Sequence, residues 1–430
     1  MSNPQGPMTG RRQSPETRPQ ARAQSPGSQT SLRKRNQQRV VEALVKVGAS
    51  TQADLARRTG LSTATISNIV SYMAKNGLVS LTPTTSSGRR AVSVRLLTSN
   101  GTVAAGIGFG RRHLRVVLVY PDYTIAAEEN VVLPQKYDPR AGFDLAKQVL
   151  TRLLEETGTS WEALSGVGVG IPGSIDRRDL MPVIGTVWAE WAFVDVVVEL
   201  EDRLGVPVVL DNDANLGSVA ETIWGLHGGA TNLVYLKVGS GIGAGLILNG
   251  QPFNGATGVT GEVGHVQVVP DGQACRCGNR GCLEAEASIQ AMLDRLGTVT
   301  PIQSTEDLVR AVQGGDVAAL RVIEDAARLI GRVVGDLASI LSPEVIVLGG
   351  PLAVLGDTIL EPISRSFARH VLPLVRDATD IVASTLDDRG EALGRPRSSS
   401  IRPQSASSSG SEASGVMNDR VCERSRDRDS

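Results

Sequence analysis

Apolar residues in the first hundred positions fall into helical stripes and then into strand-like alternation. In RNQQRVVEALVKVG, Val40, Val41, Leu44 and Val45 share one helical face, closed by Gly48. STQADLARRTG offers Thr51 as an N-cap with Asp54 three residues on, the spacing of a capping box, and ends at Gly60. LSTATISNIVSYMAKNG starts from Ser62, repeats apolar side chains at Ile66, Ile69, Val70 and Met73, and stops at Gly77. Two short alternating runs follow, LVSLT and AVSVRLL, joined by PTTSSGRR, and they predict a hairpin. Beyond about Thr102 the runs are longer, as in LRVVLVY, GVGVGIPG, VPVVLDND, NLVYLKVGSGIGAGLIL and EVIVLGG. They alternate with helical stretches, which predicts an α/β body with buried strands. GIGFG near residue 106 and GSGIGAG near 239 sit in similar strand–turn–strand settings, so two related lobes are expected.

Both ends lack such a period. Residues 1–31 are rich in Pro, Gln, Ser and Arg, and residues 395–430 contain 11 serines with scattered charges. Both are expected to be disordered. The chain therefore divides into a basic tail (1–31), a three-helix and hairpin unit (32–98), a two-lobed body (99–394) and a second tail (395–430).

Helix, helix, tight turn, helix and basic hairpin is the plan of a winged helix-turn-helix. The non-core face of the third helix is Thr63, Thr65, Ser67, Asn68 and Ser71, short uncharged side chains suited to base edges in a major groove. Arg89 and Arg90, beside Gly88 at the wing tip, could press guanidinium groups onto phosphates or into a minor groove. The alternative is an interaction module with a solvated basic hairpin. Charge favours DNA. The 430-residue chain has a net charge of −1, yet residues 1–98 carry 15 Lys/Arg against Glu16, Glu42 and Asp54, so the remainder carries −13. A basic front on an acidic body suggests that only the front meets a polyanion.

No apolar run is long enough to span a bilayer, and the N-terminus lacks the apolar middle of a secretory signal, so a cytoplasmic protein with no membrane partner is expected. Three of the four cysteines cluster with a histidine in GHVQVVPDGQACRCGNRGCLEA. His265, Cys275, Cys277 and Cys282 offer one imidazole and three thiolates, the ligand set of a closed structural zinc site with no open position for a catalytic water. The competing reading is unrelated thiols and a core histidine.

Three further segments carry candidate chemistry. VVLDNDANLGSVAE sets carboxylates and amides at the end of a buried strand, where open α/β sheets place ligand groups, although the same run serves as a helix cap. An Asp there could accept a proton from a substrate hydroxyl. KVGSGIGAG could aim backbone N–H groups at phosphate or simply form a tight turn. In GATGVTGEVGH, Glu262 lies three residues before His265, where a carboxylate beside a metal-held imidazole could hold sugar hydroxyls.

Together, GEVGH, CRCGNRGCLE, NDAN with Glu221, GVGVGIPGSID and GSGIGAG resemble the ROK family of repressors and sugar kinases, from about residue 35 to 394. The resemblance implies a winged helix-turn-helix followed by a two-lobed actin-like ATPase, or sugar-kinase, fold. It implies zinc on His265, Cys275, Cys277 and Cys282. Glu262, His265 and Glu284 become sugar-hydroxyl contacts, with Asn212 and Asp213 opposite them, and Asp213 takes the position of the kinases' general base. Gly239, Ser240, Gly241 and Gly243 match the second phosphate loop, and Gly349-Gly350 the turn near the nucleoside.

The sequence departs from that family in two places. The kinases' first phosphate motif, Asp-x-Gly-Gly-Thr-Lys, is replaced by Gly108-Phe109-Gly110-Arg111-Arg112-His113, so the carboxylate that organises magnesium is absent. Family members usually finish on an apolar helix, whereas Gly394 is followed by RPRSSSIRPQ. Either the first lobe lacks its closing helix or the reading frame changed late in the gene. The expectation is a sugar-responsive regulator, a repressor acting as a homodimer or higher oligomer on operator DNA, and no enzyme. An ATP-dependent sugar kinase with an accessory DNA-binding domain is the alternative.

Overall fold

A computed structural model describes residues 36–394, apart from 38, 42, 46, 87–88, 98–101, 135–136, 184–188, 298–299 and 387–388; at 86, 89 and 189 it describes the backbone alone. The two expected tails, the wing-tip Gly88 and the Arg89 side chain lie outside the described residues.

The amino-terminal unit follows from its caps. Helix α1 (36–47) is helical at every described position and ends at Gly48. A short strand, β1 (Ser50–Thr51), precedes α2 (Gln52–Thr59), whose N-cap Thr51 accepts from the Asp54 backbone N–H and whose C-cap Gly60 is left-handed at φ 64°. Helix α3 (Thr63–Lys75) is capped in the same way by Ser62. Strands β2 (Val79–Ser86) and β3 (Arg89–Leu96) form the hairpin, with β1 on the outer side of β3. The strands are longer than the alternation predicted. Most of PTTSSGRR is strand, because Pro83 sits on the edge strand β2, where its missing N–H breaks no inner ladder.

The body consists of two five-stranded sheets of identical topology. The first lobe runs β4 (Val103–Phe109), β5 (His113–Val119), β6 (Ile125–Val132), α4 (Pro139–Glu156), β7 (Leu164–Ile171), a small ribbon of β8 (Ile175–Asp176) and β9 (Met181–Pro182), α5 (Val196–Leu204) and β10 (Val208–Asn212). Its sheet order is β10-β7-β4-β5-β6. Helix α6 (Asp213–Ile223) leads into the second lobe, with β11 (Leu233–Val238), β12 (Ile242–Leu248), β13 (Gln251–Pro252), α7 (Leu283–Ala287), α8 (Ile289–Leu296), α9 (Thr305–Gln313), α10 (Val317–Leu341), β14 (Val345–Gly349), α11 (Asp357–Ala368), α12 (Pro373–Ala378) and β15 (Asp380–Ala383). Its sheet order is β13-β12-β11-β14-β15. In each lobe two antiparallel hairpins are extended on the other side by two parallel strands. Each sheet has its own apolar core.

A final helical turn, α13 (Gly390–Leu393), packs back on the first lobe over Gly108, while the stretch after Gly394, where the family's apolar helix is expected, lies outside the described residues. The apolar cluster inside the winged helix is continuous with Val117, Val119 and Tyr123 of the first lobe and with Ala220, Ala392 and Leu393. Among the described residues, no helix is long and apolar enough to cross a membrane.

Candidate functional site

The cleft between the lobes collects the ends of several elements. Strand β10 delivers Asp211, Asn212 and then Asp213 at the start of α6; the β11–β12 turn supplies Ser240 and Gly241; a short 3-10 turn carries Glu262 to His265; and α7 carries Glu284. Asn212, Asp213, Glu262, His265 and Glu284 all line one cavity, together with Ser240, Gly241 and Gly243 of the glycine turn. Gly239 lies behind this face, where its carbonyl accepts from Ile289 at 2.9 Å and ties the turn to α8. The cavity encloses about 50 Å³, well below the about 300 Å³ at which ligand pockets usually begin. A ring-sized ligand therefore needs Lys237 or Arg276, which reach into it, to move.

Three charged residues absent from the sequence-based expectation control this space. Lys237 Nζ lies 2.5 Å from Asp213 Oδ2 and also pairs with Glu391 of α13. Burial pushes the Asp213 carboxyl up to about 6 from an ordinary 3.8, with Lys237 pulling it down and Glu391 pushing it further up. Burial pulls the Lys237 ammonium down, but the two carboxylates outweigh it and hold it above its ordinary value. Lys237 therefore stays charged, and Asp213 is the member that takes up a proton as the pH falls. Arg276 donates to Glu284 at 3.1 Å, and Glu284 also accepts from the Ile242 N–H at 3.0 Å. A side chain at Gly241 would begin 2.6 Å from that same Glu284 oxygen, so glycine is needed there for the carboxylate to reach the turn.

Asn212 is largely occupied by structure. Its Oδ1 caps α6 through Ala214 and Asn215, and its Nδ2 donates to the Gly173 carbonyl at 2.9 Å, which leaves one amide hydrogen for a ligand. Gly108 is buried under α13: a Cβ there would lie 3.4 Å from both the Ala392 nitrogen and the Glu391 Cβ. The neighbouring Arg111 reaches Gln290 across the cleft at 3.4 Å, and Arg112 is exposed.

The four proposed metal donors converge. The ligand atoms of His265, Cys275, Cys277 and Cys282 lie within 4.8 Å of one another. His265 Nδ1 is 3.5 Å from Cys275 Sγ, and Cys277 Sγ is 3.8 Å from Cys282 Sγ. A tetrahedral ion with bonds of about 2.3 Å to sulfur and about 2.0–2.1 Å to nitrogen sets its ligand atoms about 3.5–3.8 Å apart. The donor set fits such an ion. The other ring nitrogen, Nε2, lies 3.8 Å from Glu262, so His265 stands between the sulfurs and the cavity. Glu286, also overlooked in the sequence, braces the loop by accepting from the Gln273 N–H at 2.7 Å and from Arg295 at 2.6 Å.

On the winged helix, Ile66, Ile69, Val70 and Met73 are buried while Thr63, Ser67, Asn68 and Ser71 are exposed. Thr65 is half-buried and its hydroxyl lies 2.8 Å from the Ser62 hydroxyl, so it partly serves the cap. Arg90 is exposed on β3.

Comparison with known proteins bears on both units. The sequence pattern of the ROK family matches residues 104–396, and that of the MarR family matches residues 34–90. A xylose repressor of Bacillus spizizenii is 26% identical over 85% of this chain and 95% of its own. A glucokinase of Halalkalibacterium halodurans is 33% identical, over 54% of this chain and 74% of its own. In fold, the chain is similar to a solved ROK family transcriptional regulator, described as a homologue of the E. coli MLC protein, at a TM-score of 0.69 and 23% identity, over 86% of this chain and 96% of that one.

Proposed function

Because this chain belongs to the ROK family, we propose that it is a sugar-responsive transcriptional repressor, released from operator DNA when a carbohydrate enters the cleft between its lobes. Similarity to a xylose repressor across nearly the whole of both chains supports this reading. The observation that carries it is at the first phosphate motif, where Gly108 supplies no carboxylate for magnesium and α13 covers the position. Until a ligand parts them, Lys237 and Glu391 also hold the Asp213 carboxylate inside the fold. Phosphoryl transfer depends on positioning and charge neutralisation, so a body built this way binds sugar without phosphorylating it.

In this reading Asp213, Glu262, His265 and Glu284 hold sugar hydroxyls, with Asn212 as a minor donor. Zinc on His265, Cys275, Cys277 and Cys282 supplies structural order to the loop and no chemistry of its own. The exposed face of α3 reads base edges and Arg90 contacts phosphate. The protein works in the cytoplasm as a homodimer or higher oligomer, because two recognition helices on a two-fold axis match an inverted-repeat operator. The signal has a short route. Glu391 lies in the cleft network, while its neighbours Ala392 and Leu393 belong to the apolar cluster shared with the winged helix. A sugar that displaces Lys237 disturbs α13, and the DNA-binding unit feels it to the extent that affinity differs between the two states, typically about 1–3 kcal/mol of coupling.

The test is selection of genomic fragments by the purified protein, followed by titration of the selected fragment complex with xylose, glucose and N-acetylglucosamine. Release by one sugar and not the others is expected. Sugar-dependent ATP consumption above that of an Asp213→Asn control would instead favour a kinase with an accessory DNA-binding domain.

A further inference from the structure

The acidic body contains a second place suited to an anion, far from the winged helix in sequence. Helices α10 and α11 pack with their backbones close together: a Cβ at Gly331 would lie 2.4 Å from the Ile363 carbonyl, and one at Gly335 would lie 3.0 Å from the His370 Cβ. The Ser366 hydroxyl donates to the Arg328 carbonyl at 2.7 Å and keys the two helices in register. This close packing brings two arginine ladders onto one groove, Arg328 and Arg332 from α10, Arg365 and Arg369 from α11 and just beyond its end. The groove encloses about 560 Å³, within the about 300–1,000 Å³ typical of small-molecule sites.

Its charges are poorly balanced. Arg365 is loosely paired with Glu324 at 3.7 Å and Glu361 at 3.5 Å, and both glutamate side chains are 69% exposed. Arg332 donates to the Val268 carbonyl at 3.3 Å. Among the described residues, Arg328 and Arg369 have no ion-pair partner. His370 adds a further donor or acceptor, since its Nδ1 bonds the Ser366 carbonyl at 2.7 Å and leaves Nε2 over. Like charges four residues apart on a helix repel, and both helices carry such a pair here. Four guanidiniums facing two exposed carboxylates leave an excess that a doubly charged oxyanion would neutralise, and forked guanidinium donors suit phosphate oxygens.

We propose that this groove binds a small molecule through a phosphate group. The floor is apolar and buried at Leu329 and Pro362, so the groove has room for the body of a phosphate ester beside the charged edge. Its remaining wall is Val268, Val269 and Pro270, the segment between His265 and Cys275. Through the Arg332–Val268 hydrogen bond, an occupant of the groove bears directly on the loop that faces the sugar cleft. The site is thus placed to let a phosphorylated metabolite modulate the response to a free sugar.

The experiment uses the full-length protein as purified, with inorganic phosphate, pyrophosphate and glucose 6-phosphate as probes in thermal-shift and calorimetric titrations at constant ionic strength in chloride. Saturable stabilisation is expected from all three probes. The double substitution Arg328→Gln/Arg369→Gln should weaken it by about tenfold or more, and Arg90→Gln on the wing should leave it unchanged. Both substituted arginines are exposed, so without phosphate the double variant should melt no lower than the wild type. If it does melt lower, Arg369→Gln alone carries the same comparison. A random DNA duplex separates the other source of phosphate: duplex binding that falls with the double variant and competes with pyrophosphate would overturn the assignment to a small molecule. Equal phosphate effects in wild type and variant, or no saturable effect at all, would overturn the site.

Discussion

Lys237 Nζ lies 2.5 Å from Asp213 Oδ2, inside the cleft and with both side chains almost fully buried. The pair joins the last part of β11 to the first residue of α6, and Glu391 extends it to the closing turn of the first lobe. One ammonium thus holds together three elements that a ligand must part.

Removing that ammonium leaves two carboxylates buried side by side. Lys237→Met is expected to lower stability by about 3–5 kcal/mol, the usual cost of stranding a buried charge. Denaturant unfolding measures it, and adding Asp213→Asn and Glu391→Gln to the variant should recover part of the loss. A change under about 0.5 kcal/mol, the range of ordinary surface substitutions, would remove the network from any structural role.

Asp213 also predicts a pH dependence. Its folded value, pushed up to about 6, exceeds the ordinary 3.8. Between those values the folded protein binds a proton that the unfolded chain does not. The group's contribution to stability is therefore fully present below 3.8 and is lost as the pH rises through about 6. Sugar binding should run the opposite way, because a protonated Asp213 has lost acceptor capacity. Calorimetry should show affinity falling below about pH 6 in the wild type and a flatter profile in Asp213→Asn.

Gly241→Ala separates binding from folding. The new methyl group would start 2.6 Å from a Glu284 oxygen at the flexible end of a side chain, so the carboxylate swings away from Ile242 and Arg276. Sugar affinity should fall by about tenfold or more, the loss of a charge-assisted hydrogen bond, while the stranded Ile242 N–H lowers stability by only about 1–3 kcal/mol and the protein still folds. Undiminished binding would place the sugar away from Glu284.

Metal content is directly measurable. Elemental analysis should find one zinc per chain, and Cys277→Ser should lose it. Because His265 stands between the thiols and Glu262, chelation should lower both the melting temperature and sugar affinity. A metal-free protein that still binds sugar with full affinity would show that the loop is ordered without the ion.

For DNA, Asn68→Ala should relax sequence preference and cost about 1–3 kcal/mol if its amide contacts a base edge. Arg90→Ala should weaken binding uniformly and reduce the salt slope by about 1. Thr65→Ala is expected to act partly through the α3 cap, since its hydroxyl meets that of Ser62. Gel-shift titrations at several salt concentrations distinguish these patterns. Unaltered specificity in Asn68→Ala would exclude that residue as a reader.

Much of the cleft is legible in the sequence, because its residues are unusual in kind or close together in the chain. Three cysteines and a histidine within one segment, or a carboxylate three positions before that histidine, stand out in a chain with four of each. Lys237, Arg276, Glu286 and Glu391 did not stand out. Lysine, arginine and glutamate are ordinary surface residues, and only their burial against distant partners gives them a role. The hairpin strands run further than their alternation suggests for a related reason. Pro83 reads locally as a turn residue, yet the edge strand β2 tolerates it.

Periodicity and caps are properties of neighbouring residues, so the chain alone determined its capped helices, the succession of its strands, the thiol–imidazole cluster and the carboxylates that line the cleft. Charge balance is a property of space. Which carboxylate meets Lys237, what covers Gly108, and how the arginines of α10 and α11 come to share one groove depend on contacts between segments far apart in the chain. Those contacts form only when the two sheets and their helices have packed, and so the tertiary structure alone decided them.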